Sequence, residues 1–464
     1  MALGGGTWLF QNKVLPGAYI NFKSKYRPNT EMVDRGFGAM AMEFDWGPVN
    51  EVFAVEAEDF QEKSIALFGY DYTSEKLKGL RDLFKNLKTG YFYRLANGAE
   101  KATCELAKAK YAGIRGNDIT VAVEANPDEE GSFIVYTYLD IDGVKTLMDQ
   151  QAVTAKAELV NNDLVDFIIN DTELTASAGM KLSGGSNGES ITAAQHQSFL
   201  SAIESYYFNA IGVVTTDPTL KSLYIAFTKR MRDDVGMKFQ LVVYDAVKPD
   251  YEGVINIKNK VTDSGASPAS LVWWVVGAEA SCAVNASCTN KTYDGEYTVE
   301  ATYSQAELKK AITSGYLTFH RVTDPASGYL TFHRVTDPAS GDINGDINVL
   351  TDINSFVSFS KAKNKEFAKN QVVRVLDQIA IDIARLFNRF YLGKEPNDAD
   401  GRSALWNDIV AYYKELQRVR AIQNFVETDV PMPQQGDEKD AVLSEHAVQP
   451  TCAMENLYMT VNVA

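Results

Sequence analysis

The side chains best suited to catalysis in this sequence are its four histidines, His196, His320, His333 and His446. Nucleophilic catalysis requires a base, usually histidine, within reach of a serine or cysteine. None of the four lies in a recognisable nucleophile motif or in a metal-binding His-Glu-x-x-His motif. The sequence therefore favours a protein without a catalytic triad, and we predict no catalytic residues and no cofactor.

The four cysteines could form disulfides or bind a metal. Cys104, Cys282, Cys288 and Cys452 are too few in a chain of 464 residues to form a disulfide framework. Cys282 and Cys288 could meet across a turn. We favour two reduced thiols that pack as small hydrophobic side chains.

An acidic segment from Asp342 to Asp352 resembles the opening of a calcium-binding loop. Oxygen-bearing side chains alternate along Asp342, Asn344, Asp346 and Asn348. However, Ile occupies the place of the required glycine, and the twelfth position is not Glu. We therefore predict an acidic surface turn and no metal ligands.

The elements that must position these side chains belong to a large acidic chain. At roughly 150 residues per domain, the length predicts about three domains. The sequence has 61 acidic and 45 basic residues, a formal charge of −16, which disfavours direct binding to nucleic acid or to anionic membranes. The longest apolar run, Leu271–Val276, is too short to span a bilayer. The first residues lack the features of a signal peptide, so we expect a cytoplasm-like compartment.

Turn signals and periodicity divide the chain into six regions. They are an extended N-terminal arm (1–22), the N-terminal part of a core domain (23–92), a small β-rich domain (93–180), an α/β domain (181–348), a C-terminal helical domain (349–447) and a C-terminal arm (448–464). The predicted fold class is thus α/β and α+β multidomain, with a mixed core domain formed from the N- and C-terminal parts.

Several secondary-structure elements can be predicted within these regions. Strands are indicated at 119–123, 133–139, 210–214, 239–244 and 271–276. A capping box formed by Thr192 and Gln195 begins a helix after a glycine-rich turn at 184–188. A sustained apolar stripe from Val372 to Phe390 predicts a helix whose stripe packs in the core.

Thirteen residues, Ser314–Ala326, are repeated letter for letter as Ser327–Ala339. A single extra copy does not make a solenoid. Slippage in the coding DNA or an error in the recorded sequence explains the identity better than selection does. A sheet has register for one copy only, so we expect the other to form an exposed loop or a lengthened hairpin.

A series of short motifs in order along the chain resembles the tail sheath proteins of contractile bacteriophages and phage-tail-like bacteriocins. The motifs are Val14–Phe22, Arg35-Gly36 through Asp45-Trp-Gly-Pro48, Ala107–Ile119, Leu182–Gly188, Tyr293–Tyr297, Leu350–Asn354, Arg374–Asp377, Gly393–Asn397 with Gly401-Arg402, and Met454–Val463. The duplication is a departure, because that family normally joins the two flanking strands by a short turn.

The resemblance implies that region 181–348 is a subtilisin-like α/β domain without a catalytic triad. It also implies a structural protein that forms stacked hexameric rings around an inner tail tube and contracts to drive the tube through a cell envelope. The implied partners are other copies of the chain, the tail tube protein, and baseplate and terminator proteins. The implied location is the virion tail, assembled in the bacterial cytoplasm. A bacteriocin or injection-device sheath is an alternative, and a subtilisin-fold hydrolase is an alternative of another class.

Both terminal arms are β-like, and an unpaired extended segment seeks a sheet edge. We expect each arm to add a strand to a neighbouring subunit; the alternative is pairing within its own subunit. The predicted arm contacts are Tyr19, Ile20, Phe22, Leu457, Met459, Val461 and Val463. The resemblance places region 349–447 against the tube. Two sets of charged residues could form that contact, either Lys414, Arg418 and Arg420 or Asp437, Glu438 and Asp440.

Overall fold

The computed structural model describes residues 34–170, 173–321 and 346–463. The duplication beyond Arg321 and the N-terminal arm lie outside the described residues. The α-helices in the described residues are α1 Ala57–Phe68, α2 Lys78–Phe84, α3 Ala193–Ile203, α4 Pro218–Arg230, α5 Leu271–Ser281, α6 Gln305–Thr313, α7 Asn370–Leu386 and α8 Ala399–Arg418.

The central element is a seven-stranded sheet with the order β13-β12-β11-β10-β1-β3-β2. Its strands are β1 Phe37–Met42, β2 Val52–Glu56, β3 Thr89–Arg94, β10 Ala210–Gly212, β11 Gln240–Tyr244, β12 Val254–Ile257 and β13 Tyr316–Leu317. All neighbours are parallel except β2, which pairs antiparallel with β3 at one edge. Gly38 lies opposite Ala210 in the β1–β10 pair, so regions 23–92 and 181–348 share one sheet.

Helices cover both faces of this sheet because its strands alternate their side chains between two cores. Met40 and Val242 face one core with Leu80 of α2 and Trp274 of α5. The residues next to them in the strands, Ala39 and Leu241, face the other core together with side chains of α3 and α4. The layered arrangement agrees with the mixed α/β fold predicted from the sequence.

The segment Leu271–Val276 was predicted to be a strand, and this prediction is wrong. It begins helix α5, in which every residue from Leu271 to Ala280 is buried. Residues on all sides of α5 are buried, so its sequence has no helical periodicity to detect. The backbone of α5 passes close to α2, since a Cβ at Gly277 would lie 2.3 Å from the carbonyl oxygen of Leu83.

The β-rich region forms its own antiparallel sheet in the order β7-β6-β5-β9. The strands of this region are β4 Ala107–Ala109, β5 Ile119–Ala125, β6 Phe133–Ile141, β7 Val144–Val153, β8 Val165–Phe167 and β9 Ser177–Lys181, with β4 paired to β8. The turn between β6 and β7 places Asp142 and Gly143 at φ +52° and +82°. Such angles are favourable for an Asp-Gly hairpin turn.

The C-terminal region consists of α7, a π-helical turn Phe387–Tyr391, α8 and short strands. In this region β16 Gln434–Gln435 pairs with β17 Val442–Leu443, and just before it β14 Phe319–Arg321 pairs with β15 Ile347–Val349. The predicted helices are present, but the core-facing side of α7 differs from the prediction. Beyond Val375 its apolar stripe is only half-buried and Phe390 is exposed, whereas Arg374, Asp377 and Asp382 are buried.

Candidate functional site

Hydrogen bonds to tyrosines hold two of the described histidines. Nδ1 of His196 lies 2.9 Å from the Tyr224 hydroxyl, and burial lowers the pKa of this histidine. His446 lies between the hydroxyls of Tyr413, at 2.9 Å, and Ser444, at 2.6 Å. In a catalytic triad a carboxylate, not a phenol, orients the imidazole. We therefore assign these contacts a structural role.

The described end of the calcium-like segment points into the protein. Asp352 is buried, accepting a hydrogen bond from the Cys288 backbone amide at 2.9 Å and one from the Asn370 side chain at 2.6 Å. The surface position predicted for this residue is therefore wrong. Residues 342–345 of the segment lie outside the described residues.

Asp352 belongs to a buried ionic cluster formed by Arg374, Glu279 and Asp352, which we call the Arg374 cluster. Nη2 of Arg374 lies 2.6 Å from a Glu279 carboxylate oxygen and 3.3 Å from Asp352 Oδ2. Nη1 donates to the backbone carbonyl of Ala286 at 2.7 Å. The side chains of the three cluster residues are 0%, 2% and 1% exposed. One guanidinium thus joins α5, the segment after β15, and α7.

The two carboxyl groups of the cluster hold different charges. Burial, together with the nearby charge of Asp352, raises the pKa of Glu279 well above its ordinary value. Burial opposes ionisation of Asp352 as well, but Arg374 and a hydrogen bond from Glu279 hold its pKa below the usual value. We infer that a neutral Glu279 donates to an ionised Asp352, whose single negative charge balances Arg374.

Two further arginines contact the helices of this cluster: Arg232 is buried and Arg35 is half-buried. Arg232 makes a two-pronged ion pair with Asp377 of α7, at 2.7 and 2.8 Å. Arg35 donates to the backbone carbonyls of Cys282 and Glu279 at the end of α5, at 2.8 and 3.1 Å. Positive charge at a helix C-terminus is favourable. The ion pairs of Arg232 with Asp377, and of Arg374 with Glu279 and Asp352, explain why α7 buries its polar side.

The cluster also contains a possible metal-ligand set. Ligand atoms of Glu279, Cys288 and Asp352 lie within 4.8 Å of one another. The guanidinium of Arg374 already bonds to both carboxyl groups, and a metal cation would be repelled by it. The donor set therefore fits arginine better than a metal ion.

The Arg374 cluster was not predicted from the sequence. Its signals were present as single charged residues inside otherwise apolar helices: Glu279 follows the apolar run of α5, and Arg374 and Asp377 interrupt the stripe of α7. A charged residue in such a position is rarely buried without a partner. The identity of the partner cannot be read from periodicity.

Residues 456–463 of the C-terminal arm form neither a helix nor a strand in the structure. Its apolar side chains are exposed; Leu457 is 86% and Val463 is 93% exposed. Glu455, within the arm, holds it to the body of the subunit, because it forms an ion pair with Lys369 and accepts hydrogen bonds from Thr289 at 2.9 Å and Thr351 at 3.2 Å. Tyr19, Ile20 and Phe22 of the N-terminal arm lie outside the described residues.

The two predicted sets of charged residues occupy different surfaces. Lys414 and Arg418 lie on α8 and are ion-paired with Glu427 and Glu415, respectively, while Arg420 follows the helix. The other set, which we call the acidic hairpin, consists of Asp437, Glu438 and Asp440 in the turn between β16 and β17. Within the described part of the chain, these three exposed carboxylates form no ion pair.

None of the described helices is both long and apolar enough to cross a membrane.

The chain matches protein-family models and a curated relative along most of its length. Four family models match consecutive parts of the chain: the tail sheath protein Gp18 domain III N-terminal region at 35–95, the phage tail sheath protein beta-sandwich domain at 97–187, the central domain at 189–329 and the C-terminal domain at 362–464. The phage-like element PBSX protein XkdK of Bacillus subtilis is 29% identical, with 99% of this chain and 100% of that protein covered.

Solved structures extend the similarity to the fold. The crystal structure of a sheath tail protein from Desulfitobacterium hafniense is 35% identical, with a TM-score of 0.76 over 94% of this chain and 96% of that chain. The helical sheath of the anti-feeding prophage in its contracted state has a TM-score of 0.52 at 12% identity over 97% of this chain and 99% of that chain, which shows a shared fold. The chain belongs to the phage tail sheath family.

Proposed function

We propose that this protein is the subunit of a contractile tail sheath, which stacks as hexameric rings around an inner tube and drives the tube through the host envelope during genome delivery. The match of four consecutive sheath domains along residues 35–464 carries the proposal. Its role is structural, without a cofactor. The energy for contraction is stored in subunit packing during assembly, so no nucleotide is consumed.

A sheath of a phage-tail-like bacteriocin or other injection device is the second candidate. It is supported by the fold shared with the contracted anti-feeding prophage sheath. Both candidates need the same partners, namely further copies of the chain, a tube protein, and baseplate and terminator proteins at the two ends. The neighbouring genes distinguish them, because capsid and terminase genes accompany only a phage.

Electron microscopy of the purified protein tests the sheath function. We expect the full chain to form tubes with a regular axial repeat, alone or when mixed with its tube protein. A protein that remains monomeric under all assembly conditions, or that hydrolyses peptides, would contradict the proposal. The same images would show whether the tubes exist in a long and a short form, as contraction requires.

We propose that the two arms connect neighbouring subunits by adding strands to their sheets. The exposure of the apolar residues in the C-terminal arm supports this, because an extended apolar segment gains both backbone hydrogen bonds and burial at a sheet edge. Main-chain ladders can be kept while the subunit bodies rotate, provided that the short linkers flex.

We further propose that the acidic hairpin, rather than the basic set on α8, faces the tube. Lys414 and Arg418 already have acidic partners within the subunit, whereas the hairpin carboxylates are free to attract a basic surface. A contact that must break before the contacts between sheath subunits should be small, polar and sensitive to salt.

Reversal of the acidic hairpin should weaken tube binding without preventing sheath formation. We expect the triple variant D437K/E438K/D440K to form sheaths that assemble poorly around tubes, with the wild-type protein losing tube binding as salt is raised. Co-sedimentation of sheath with preformed tubes measures this. The matched control K414E/R418E/R420E should keep tube binding; if only the control loses it, the tube contact lies on α8.

A further inference from the structure

We propose that Cys282 and Cys288 form a reactive thiol pair in which a peroxide oxidises Cys282 and Cys288 then closes a disulfide with it. The pair lies in the segment that follows α5, beside the Arg374 cluster. All four cysteines are free thiols in the structure. The inference is independent of the proposed sheath function.

The geometry brings the two thiols together at an accessible place. Cys288 is buried, and its thiol donates to the carbonyl oxygen of Ala278 at 3.7 Å. Cys282 is only half-buried. Both cysteines line a cavity of about 350 Å³, which is large enough to admit a small oxidant.

The surrounding charges favour a thiolate at Cys282. Arg374 and Arg35 both favour its ionised form, and the Arg35 guanidinium donates to the Cys282 carbonyl at 2.8 Å. The ionised Asp352 opposes it, and Glu279 is neutral. Two positive charges against one negative charge leave room for a second anion. The neighbouring Cys288 thiol, followed by Arg374 and Arg35, lowers the pKa of Cys282 to about 7 against the effect of burial.

The pKa of the second thiol, Cys288, is shifted in the opposite direction. The neighbouring Cys282 thiol, together with burial, raises the pKa of Cys288 well above the usual value. The two residues therefore divide the roles of a reactive and a resolving cysteine. Cys452 is an exposed residue whose sulfur is partly shielded from water, which raises its pKa, so it provides an internal comparison.

The reaction balances in two steps. The Cys282 thiolate attacks one oxygen of hydrogen peroxide, the O–O bond breaks, and the departing hydroxide takes a proton to become water, leaving a sulfenic acid. The Cys288 sulfur then attacks the Cys282 sulfur, the S–O bond breaks, and its hydroxyl leaves as water with the Cys288 proton. Two thiols lose two electrons and one peroxide becomes two waters.

The disulfide would form at a structurally sensitive place. The backbone amide of Cys288 donates to Asp352, and the carbonyl of Cys282 accepts from Arg35. A covalent link between the two cysteines would tie together the ends of a segment that also binds Arg374 through Ala286.

Alkylation and peptide mapping of the folded full chain test the proposal. With a pKa near 7, the thiolate fraction of Cys282, and hence its alkylation rate, should rise about tenfold from pH 6 to pH 8, whereas an ordinary cysteine of pKa about 8.5 would show a rise of about 75-fold. After treatment with hydrogen peroxide, mass spectrometry should find a Cys282–Cys288 cross-link in the wild type and in C452S.

The variant C288S should lose the cross-link and accumulate oxidised Cys282. Because Cys288 is buried and its replacement could disturb folding, the wild-type pH profile is the second, independent measurement. An alkylation rate that rises as steeply as that of an ordinary thiol, or peroxide treatment that oxidises Cys452 while leaving the pair reduced, would overturn the proposal.

Discussion

Removal of residues 456–464 should leave a folded subunit that no longer assembles into stacked tubes. The exposed apolar residues of the arm make no strand in their own subunit, so their loss costs the body little. Glu455 is retained because it binds Lys369, Thr289 and Thr351. Thermal unfolding should match the wild type, and electron microscopy should show no tubes.

A matched pair of full-length variants separates strand addition from chain length. Alternating residues of a strand point to opposite faces. If the arm adds to a sheet of a neighbour, L457S/M459S/V461S should prevent tube formation, while Y458S/T460S/N462S on the opposite face should allow it. Normal tubes from the truncated chain would refute the linking role of this arm.

The variant R374M should lose about 3–5 kcal/mol of unfolding free energy, because it leaves Asp352 buried without its counter-charge. Denaturation by urea at pH 7 measures this loss. The control R418M removes the same charge from an exposed ion pair on α8 and should cause no measurable change. Equal stabilities for R374M and the wild type would contradict the assigned role of the cluster.

The protonation of Glu279 gives the cluster a pH dependence with a defined sign. Its pKa is raised in the folded protein, so its contribution to stability is complete below the ordinary pKa and is lost as pH rises through the raised value. The variant E279Q keeps a neutral hydrogen-bond donor and should be at least as stable as the wild type at pH 7. A loss as large as that of R374M would show that Glu279 is ionised.

Local signals in the sequence predicted local structure well. The capping box of Thr192 and Gln195 begins α3 as expected, and the Asp142-Gly143 turn joins two long strands. These features depend on residues within a few positions of one another. The predicted strand at 271–276 failed because a helix buried on every side and a buried strand are both short runs of apolar residues.

Long-range features could not be predicted in the same way. The parallel pairing of β1 with β10 joins residues 172 positions apart, as in the pair Gly38 and Ala210. The ion pair between Glu279 and Arg374 spans 95 positions. For α7, periodicity located the apolar side correctly but could not show that the polar side faces the interior, since that depends on the charges opposite it.

The attachment of the arm at Glu455 has a mechanical consequence. Tension applied to residues 456–463 would reach the body of the subunit through the contacts of Glu455 with Lys369 and Thr351. Lys369 directly precedes Asn370, and Thr351 directly precedes Asp352. Asn370 and Asp352 are joined by a buried hydrogen bond. Asp352 is in turn held by Arg374, with α5 on its other side. A pull on the arm is therefore distributed over α7, the segment that contains Asp352, and α5. It does not act on a single surface strand alone.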